Sequence, residues 1–234
     1  MARGAPSRIL FATLSAFARL ALGAETGAPP VVTPRPDASK LACVGDSITA
    51  GTVLKDKNFT YPRQLQRLLG DGWDVRNFGV SGATLLAAGD KPYRKEKAFG
   101  DALAFQPDVV VIKLGTNDTK PQNATHAANL AADCRALLAA FRTANPQVKL
   151  YLCLPVPVFG AGNFAIAEAV LTASILPPLR AVAAEEKLPL IDLHAALAER
   201  GDLFPDRVHP NAEASGLIAR AVFQALTGQE THRP

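Results

Sequence analysis

The sequence predicts an α/β protein, a three-layer α/β/α sandwich built on a five-stranded parallel sheet. Short apolar segments alternate with segments of helical periodicity from Leu41 to the end of the chain. Because strands that alternate with helices join by right-handed crossovers, this order favours a parallel sheet covered by helices on both faces. The segment Val109-Val110-Val111-Ile112 is apolar at every position, which is typical of a strand buried on both faces.

The individual elements follow from these apolar runs and from the periodicity between them. Five apolar runs are the predicted strands: Leu41–Gly45, Trp73–Phe78, Asp108–Leu114, Lys149–Leu154 and Leu188–Leu193. The predicted helices cover Tyr61–Leu69 and, approximately, Ala124–Ala144, Ile166–Lys187 and Asn211–Leu226. In the first helix Leu65, Leu68 and Leu69 share one face, as expected for packing on a sheet. Ligands of open parallel sheets bind outside the carboxyl ends of the strands, so a functional site is expected there.

Composition and charge limit the classes of function. Hydrophobic residues make up 48% of the chain and charged residues 20%, enough for a core that needs neither disulfides nor a structural metal. The formal net charge is +4 and no basic block is interleaved with aromatic residues, so nucleic acid is not an expected partner. The three cysteines lack the spacing of metal ligands, and no cofactor is expected. If one strand lies between those of Cys43 and Cys153, their Cα atoms are about 9–10 Å apart, beyond disulfide reach.

The N-terminal segment predicts export. Arg3 and Arg8 precede the apolar run 9–18, and small residues follow at 21–24, which is the order of a secretory signal peptide. The run is too short to span a bilayer, so no stable membrane insertion is expected. Arg19 interrupts the pattern, and the alternative is an uncleaved amphipathic helix on a cytoplasmic protein. We expect a secreted or periplasmic protein with a signal peptide over residues 1–24, a linker over 25–39, the folded domain over 40–228 and a tail over 229–234.

A serine stands where the first strand turns towards a helix, in Gly45-Asp46-Ser47-Ile48-Thr49. A hydroxyl at this place lies above the sheet edge, near backbone N–H groups that favour negative charge. Serine is a weak nucleophile by itself, and it needs a base within hydrogen-bond reach that a third group orients. Taken alone, Ser47 is better explained as a helix cap, so its interpretation depends on partners elsewhere in the chain.

Asp206 and His209 supply these partners near the C-terminus. They are three residues apart in the segment Phe204–Asn211, between two prolines and directly before the last helix. One tight turn can bring the carboxylate to the imidazole Nδ1, which fixes the tautomer and leaves Nε2 facing the serine. The alternative is an aspartate–histidine pair that only caps the helix.

The chain has four histidines, so the base has few rivals. His126 falls on a polar helix and His232 falls in the tail. His194 is the main rival, because Asp192 and His194 project from one face of the predicted fifth strand. Alternate strand positions face a helix layer, however, and nothing there directs His194 towards the serine. The sequence therefore favours His209 as the base.

Acyl transfer also needs hydrogen-bond donors directed at the developing oxyanion, and losing one raises the barrier by about 3–4 kcal/mol. Gly82 can present its N–H in a turn that only a residue without a side chain tolerates. Asn117, in the segment Gly115–Asp118, can add its side-chain amide. The alternatives are an ordinary turn glycine and an asparagine cap. Ser81 follows the start of a G-x-S-x-G pattern, but position 83 is alanine, so Ser81 is interpreted as a turn residue.

These segments resemble the four sequence blocks of the SGNH (GDSL-type) hydrolases, in the order in which the family has them. The blocks are Gly45-Asp46-Ser47-Ile48, Gly82, Gly115-Thr116-Asn117-Asp118 and Asp206-Arg207-Val208-His209, and the resemblance covers about Leu41 to Leu226. It implies a flavodoxin-like sheet, with Ser47 as nucleophile, His209 as base and Asp206 as its partner. It also implies an oxyanion hole made by the Ser47 N–H, the Gly82 N–H and the Asn117 amide. Ile48 replaces the leucine of the GDSL motif, a change of packing and not of chemistry.

The expected activity is ester hydrolysis through an acyl-enzyme intermediate. A catalytically silent carbohydrate-binding domain is the alternative from another class, since a fold does not determine a function. A pure binding site would not need nucleophile, base, orienting carboxylate and oxyanion hole together. Phosphoryl or phosphodiester chemistry is disfavoured, because the sequence has no cluster of carboxylates for a metal.

The expected substrate is an acetylated carbohydrate. Tyr93 and Phe159 offer flat faces for sugar rings, and Lys91 and Asn163 offer groups that bind hydroxyls. In Asn77–Thr84 and Leu154–Phe159 the chain also resembles exported bacterial SGNH proteins that are sialate or carbohydrate O-acetylesterases. The alternative is a lysophospholipase, thioesterase or general arylesterase with a longer acyl pocket. The sequence predicts neither the sugar nor the oligomeric state.

Overall fold

The computed structural model describes residues 29–160 and 163–229. The predicted signal peptide and most of the predicted tail lie outside this part of the chain. A parallel sheet of five strands has the order β2-β1-β3-β4-β5, and its strands are β1 Ser39–Gly45, β2 Trp73–Gly79, β3 Val109–Lys113, β4 Lys149–Leu154 and β5 Leu190–Asp192. The strand order reverses between β1 and β3, which is where doubly wound sheets bind ligands. The predicted fold class is confirmed.

Helices cover both faces of the sheet. They are α1 Ser47–Ala50, α2 Tyr61–Leu69, α3 Lys97–Ala104, α4 Pro121–Ala124, α5 Leu130–Ala144, α6 Glu168–Val170, α7 Leu176–Glu185, α8 Leu193–Ala196 and α9 Ala212–Thr227. A π-helical segment, Leu171–Ile175, joins α6 to α7. Single 3₁₀ turns occupy Lys57–Phe59, Tyr93–Lys95, Asn117–Thr119, Ala127–Asn129, Asn163–Ala165 and Gly201–Leu203.

Alternation along the central strands divides the core into two layers. Ala42 and Val44 of β1 pack towards α3, α5 and α7, whereas Leu41 and Cys43 pack towards α2, α8 and α9. Successive strand residues point to opposite faces, so strands that are apolar at every position fill both layers. Cys43 lies in the second layer, and burial raises the pKa of its thiol, which leaves it unreactive there.

Three predicted elements have different limits in the structure. The helix expected over Ile166–Lys187 contains the π-helical segment, because Pro177 and Pro178 lack the N–H groups that an α-helix would require at those positions. The helix expected over Ala124–Ala144 is divided, and its regular part begins at Leu130. The fifth strand is shorter than expected, ending at Asp192.

Candidate active site

Ser47 is the first residue of α1, directly beyond the carboxyl end of β1. The Asp46 carboxylate caps this helix by accepting the Ile48 N–H at 3.0 Å. A side chain at Gly45 would place a Cβ 2.6 Å from the Lys113 carbonyl oxygen, so only glycine allows β1 and β3 to approach this closely. The Ser47 side chain is almost completely buried, with 6% of the residue exposed, and its hydroxyl is held in one environment.

His209 lies between Ser47 and Asp206 in a continuous hydrogen-bonded chain. Its Nε2 is 2.8 Å from the Ser47 Oγ, and its Nδ1 is 2.7 Å from an oxygen of the Asp206 carboxylate. Because that carboxylate only accepts, the proton belongs on Nδ1, and Nε2 is left to accept the serine hydroxyl. These distances are those that a serine nucleophile, its base and an orienting acid require.

The turn around Asp206 fixes the position of the imidazole. The second Asp206 oxygen accepts the backbone N–H groups of Val208 at 3.1 Å and His209 at 2.7 Å. Partial burial alone would raise the pKa of Asp206, but the hydrogen bonds from His209 and Val208 outweigh it and lower the pKa below its ordinary value. Arg207 adopts a φ of 68°, a left-handed conformation that costs a non-glycine residue about 1–3 kcal/mol. The turn therefore keeps a strained residue between the two functional side chains.

The rival histidine is located elsewhere. Asp192 and His194 were expected on one face of the fifth strand, and this was wrong because the Asp192 carboxylate accepts the Ala195 N–H at 2.9 Å and starts α8. The His194 Nε2 lies 2.6 Å from a Glu168 carboxylate oxygen. His194 is thus paired with a residue of α6 and not with the serine.

Gly82 and Asn117 lie on two turns that are tied to each other. Gly82 has a φ of 80°, which glycine tolerates best. The Asn117 amide donates to the Ala83 carbonyl at 3.1 Å, and an amide nitrogen carries a second N–H that can reach a substrate oxygen. The Asp118 carboxylate accepts the N–H groups of Leu85 at 3.1 Å and Leu86 at 2.8 Å, which links the turn of Asn117 to that of Gly82. The candidate oxyanion donors therefore have a fixed separation.

Burial changes the acidity of Asp118. The carboxyl group is completely buried, and desolvation raises its pKa to about 6 even though backbone N–H groups stabilise the charged form.

Lys113 is a functional candidate that the sequence analysis missed. It ends β3 with its ammonium fully buried, 3.0 and 2.9 Å from the two Asp46 oxygens and 2.9 Å from the Thr116 hydroxyl. Full burial lowers the pKa of Lys113, and the Asp46 carboxylate offsets only part of that effect. The ion pair joins the Ser47 turn to the turn that precedes Asn117. The feature of the sequence that could have indicated Lys113 is its position as a charged residue at the end of an otherwise apolar strand.

The two aromatic residues predicted to bind sugar differ in their burial. Tyr93 is 1% exposed and its hydroxyl donates to the Phe78 carbonyl at 2.7 Å, so its selection as a substrate-binding residue was wrong. The Phe159 ring packs on Phe204 with centroids 4.9 Å apart and also contacts Gly201, but it is only partly buried, so its role in substrate binding stays a prediction. Packing against distant residues thus covers Tyr93 completely and Phe159 in part.

Of the two residues predicted to bind hydroxyls, the structure describes the side chain of Lys91 but not that of Asn163. The Lys91 ammonium donates to the Ser81 carbonyl at 3.0 Å and lies 3.9 Å from a Glu96 carboxylate oxygen, beside the Gly82 turn. Ser81 itself lies on this exposed turn. Asn163 begins a 3₁₀ turn, and its side chain lies outside the described part of the structure.

The mouth of the site has apolar walls. Phe164, which the sequence analysis did not select, is 61% exposed, and its ring centroid lies 5.6 Å from that of the His209 imidazole. On the Asp206 side of His209 a hollow of about 370 Å³ is lined by Val53, Leu54, Lys55, Pro205, Asp206, His209 and Asn211. Val53 is 45% exposed there.

Metal-binding clusters and membrane-spanning helices are absent from the described part of the chain. Within residues 29–160 and 163–229, no group of three or more histidine, cysteine, aspartate and glutamate side chains is placed to hold a metal ion. In the same described part of the chain, no helix is both long and apolar enough to cross a bilayer.

A known protein family matches most of this chain. Residues 43–217 match the model of the GDSL-like lipase/acylhydrolase family, which is most of the chain. The chain belongs to that family. The resemblance to the SGNH hydrolases that the motifs suggested is confirmed.

Individual relatives add detail. The chain is 40% identical over 212 residues to an acetylxylan esterase from Xylanibacter ruminicola, an alignment that covers 82% of this chain and 44% of that protein. It therefore spans less than half the length of this relative. A carbohydrate acetylesterase from Sinorhizobium meliloti superposes with a TM-score of 0.66 at 20% identity, covering 81% of this chain and 99% of the other. An aryl esterase from M. smegmatis superposes with a TM-score of 0.67 at 19% identity, covering 82% and 99%. At such identities these structures show a shared fold.

Proposed function

We propose that the protein is a serine carboxylic ester hydrolase that removes acetyl groups from a carbohydrate. The observation that carries the proposal is the continuous chain from Asp206 through His209 to Ser47, with separations of 2.7 and 2.8 Å. A serine hydroxyl, a neutral imidazole and a carboxylate in this order activate the serine for attack on a carbonyl carbon.

The reaction proceeds in two halves. In the first, the Ser47 oxygen attacks the ester carbonyl while His209 Nε2 takes the hydroxyl proton, and Asp206 stabilises the resulting imidazolium. The carbonyl oxygen becomes an oxyanion, which the N–H groups of Ser47 and Gly82 and the Asn117 amide stabilise. His209 then returns the proton to the alcohol oxygen, the C–O bond breaks, and acetyl-Ser47 remains. In the second half, His209 activates a water that releases acetate and regenerates the serine.

Two observations support a short acyl group on a carbohydrate. Ala83, Leu85 and Leu86, which follow Gly82, are at most 3% exposed, so the oxyanion side is closely packed. The hollow of about 370 Å³ lies instead on the His209 side, where the alcohol leaves. The acetylxylan esterase and the carbohydrate acetylesterase among the similar proteins also favour this substrate class.

A chain-length series tests the proposal. We expect kcat/KM for p-nitrophenyl esters to be highest for acetyl and to fall towards decanoyl, because each methylene that a pocket rejects costs about 1–3 kcal/mol. Acetate should also be released from acetylated xylan or from O-acetyl sialic acid. Ser47→Ala should abolish both the hydrolysis of p-nitrophenyl esters and the release of acetate from the carbohydrate. A maximum at octanoyl or beyond, with no acetate from either carbohydrate, favours the lysophospholipase or thioesterase alternative. Binding of the carbohydrates without any turnover favours the silent binding domain.

We also propose export of the mature protein, on the pattern of residues 1–24 alone. N-terminal sequencing of the native protein should find a start near Ala24 or Glu25 in a secreted or periplasmic fraction. A native chain that begins at Met1 or Ala2 in the cytosol would contradict export and leave the proposed chemistry unaffected.

A further inference from the structure

The position of His209 determines where the alcohol part of a substrate lies. The imidazole Nε2 that accepts the Ser47 proton must return it to the leaving oxygen, so this oxygen comes within hydrogen-bond distance of Nε2. The sugar ring that carries this oxygen extends away from the buried serine. It therefore leaves the site past the imidazole edge, between the features that flank His209 at the mouth.

Exposed apolar side chains are concentrated at this mouth. In the described part of the chain the exposed large hydrophobic residues are Val31, Val53, Leu68 and Phe164. Two of these flank His209, since Val53 lines the hollow that contains it and the Phe164 ring contacts the imidazole edge-on with an interplanar angle of 73°. Phe164 is 61% exposed despite this contact, so a ligand that covers the rest of the ring gains the free energy of removing apolar surface from water.

The backbone holds Phe164 in this exposed position. Phe164 and Ala165 have φ values of 64° and 58°, both in the left-handed region that side chains disfavour. The next residue, Ile166, is 4% exposed and anchored in the core, and the Ala167 N–H donates to the Thr119 hydroxyl at 3.3 Å. The strained turn thus directs the ring outward from a fixed point.

The opposite wall is also held in place. The Lys57 ammonium donates to the carbonyls of Gly51 at 2.5 Å and Leu54 at 3.0 Å, which fixes the loop that carries Val53. Lys55, on the same loop, lines the hollow with an exposed side chain that can donate to a hydroxyl. A pyranose ring has an apolar C–H face that packs on an aromatic ring, and hydroxyls at its edge.

We propose that Phe164 and the Val53–Leu54 wall form the subsite for the pyranose ring whose acetyl ester Ser47 cleaves. The inference rests on the proposed function and adds to it the residues that select the alcohol. Phe164 stacks on the C–H face of the sugar, and Val53 and Leu54 bound the ring from the other side of His209.

The test compares a sugar ester with an ester whose alcohol is too small to reach Phe164. Acetylated xylo-oligosaccharide and ethyl acetate are assayed with wild type, Phe164→Ala and Phe164→Tyr. We expect Phe164→Ala to lower the ratio of kcat/KM for the sugar ester to that for ethyl acetate about tenfold, mainly through KM, because a lost stacking contact is of this order. Phe164→Tyr keeps the flat face and should retain at least half of the ratio. Leu68→Ala, which removes an exposed apolar side chain of α2, is the matched control and should change neither rate.

The outcomes separate this proposal from the proposed function. If Phe164→Ala keeps the wild-type ratio of the two kcat/KM values, the subsite proposal is wrong. Acetate release from the sugar ester in the same experiment still supports the proposed ester hydrolysis. Equal losses on both esters would also overturn it, because Phe164 would then act through His209 and not on the alcohol. A wild-type enzyme that cleaves ethyl acetate but not the sugar ester would refute the proposed substrate, and the pyranose subsite with it.

Discussion

The floor of the candidate site is buried and its polar side chains are hydrogen-bonded, whereas its rim is exposed and partly strained. The floor consists of Asp46, Ser47, Lys113, Thr116, Asn117 and Asp118, all at most 6% exposed. The rim consists of Val53, Leu54, Lys55, Phe164 and Ala165, which belong to a loop and to a single 3₁₀ turn. Buried polar groups that lack partners are costly, so the floor tolerates little change and fixes the chemistry. The rim contacts solvent and can vary, which suits residues that select the alcohol.

The largest expected effect is the loss of the base above the floor. His209→Ala should lower kcat roughly 10⁴- to 10⁶-fold, nearly as much as Ser47→Ala, because members of a triad act as a unit. Steady-state kinetics on p-nitrophenyl acetate measures the effect. His194→Ala is the matched control, since that imidazole pairs with Glu168, and its kcat should stay within about twofold of wild type. An inactive but folded His194→Ala beside an active His209→Ala would contradict the assignment.

The second largest expected effect is the loss of stability when the buried Lys113–Asp46 ion pair of the floor is broken. Lys113→Met leaves the Asp46 carboxylate buried without its cation, and we expect the free energy of unfolding to fall by about 3–5 kcal/mol in urea titrations. Adding Asp46→Asn removes the uncompensated charge and should recover part of this loss. Double-mutant losses that equal the sum of the two single-mutant losses would show that Lys113 and Asp46 are not coupled.

Asp118 makes stability depend on pH. An unfolded aspartate has a pKa of about 3.9, and the buried Asp118 has a pKa of about 6. The folded state thus binds the proton more tightly, so this contribution is fully present below pH of about 4 and is lost as the pH rises through about 6. At neutral pH this effect lowers the free energy of unfolding by about 3 kcal/mol.

Asp118→Asn is the variant that isolates this contribution. It loses part of the hydrogen bonding to Leu85 and Leu86 at every pH, but it has no carboxyl group to titrate. Its free energy of unfolding should therefore improve relative to wild type as the pH rises from about 4 to about 7. A difference between the two proteins that does not change with pH would mean that Asp118 is not the titrating group.

The smallest effect concerns an aromatic residue that the rim does not include. Tyr93→Phe removes the hydrogen bond to the Phe78 carbonyl and should lower the free energy of unfolding by about 1 kcal/mol. Its kcat/KM for a sugar acetate should match that of wild type, because Tyr93 is packed in the core and its hydroxyl is bonded to the Phe78 carbonyl. A raised KM for the sugar ester alone would return Tyr93 to the substrate site.

The residues of the Ser47–His209–Asp206 chain were predictable from the sequence because short motifs carry them. Ser47 follows an apolar strand, and the three-residue interval between Asp206 and His209 requires only one turn to bring the carboxylate to the imidazole. Lys113 was hidden because a strand pattern does not reveal which of its residues meets a buried carboxylate.

The rim was not predictable because exposure depends on long-range packing. An aromatic residue in a loop near strand ends can face solvent or the core, and Phe159 packs on Phe204, which is far away in sequence. Phe164 is exposed because its backbone adopts a rare conformation, which no residue type in that segment indicates.

Covalent labelling tests the central claim, that His209 activates Ser47 as the nucleophile, most directly. Wild-type protein treated with a fluorophosphonate should carry one adduct per chain, which peptide mass spectrometry should locate on Ser47, and turnover should be lost in proportion. His209→Ala should label far more slowly, because its serine lacks the base 2.8 Å away. An adduct on Ser81 or on another serine, or full turnover with Ser47 labelled, would contradict the account.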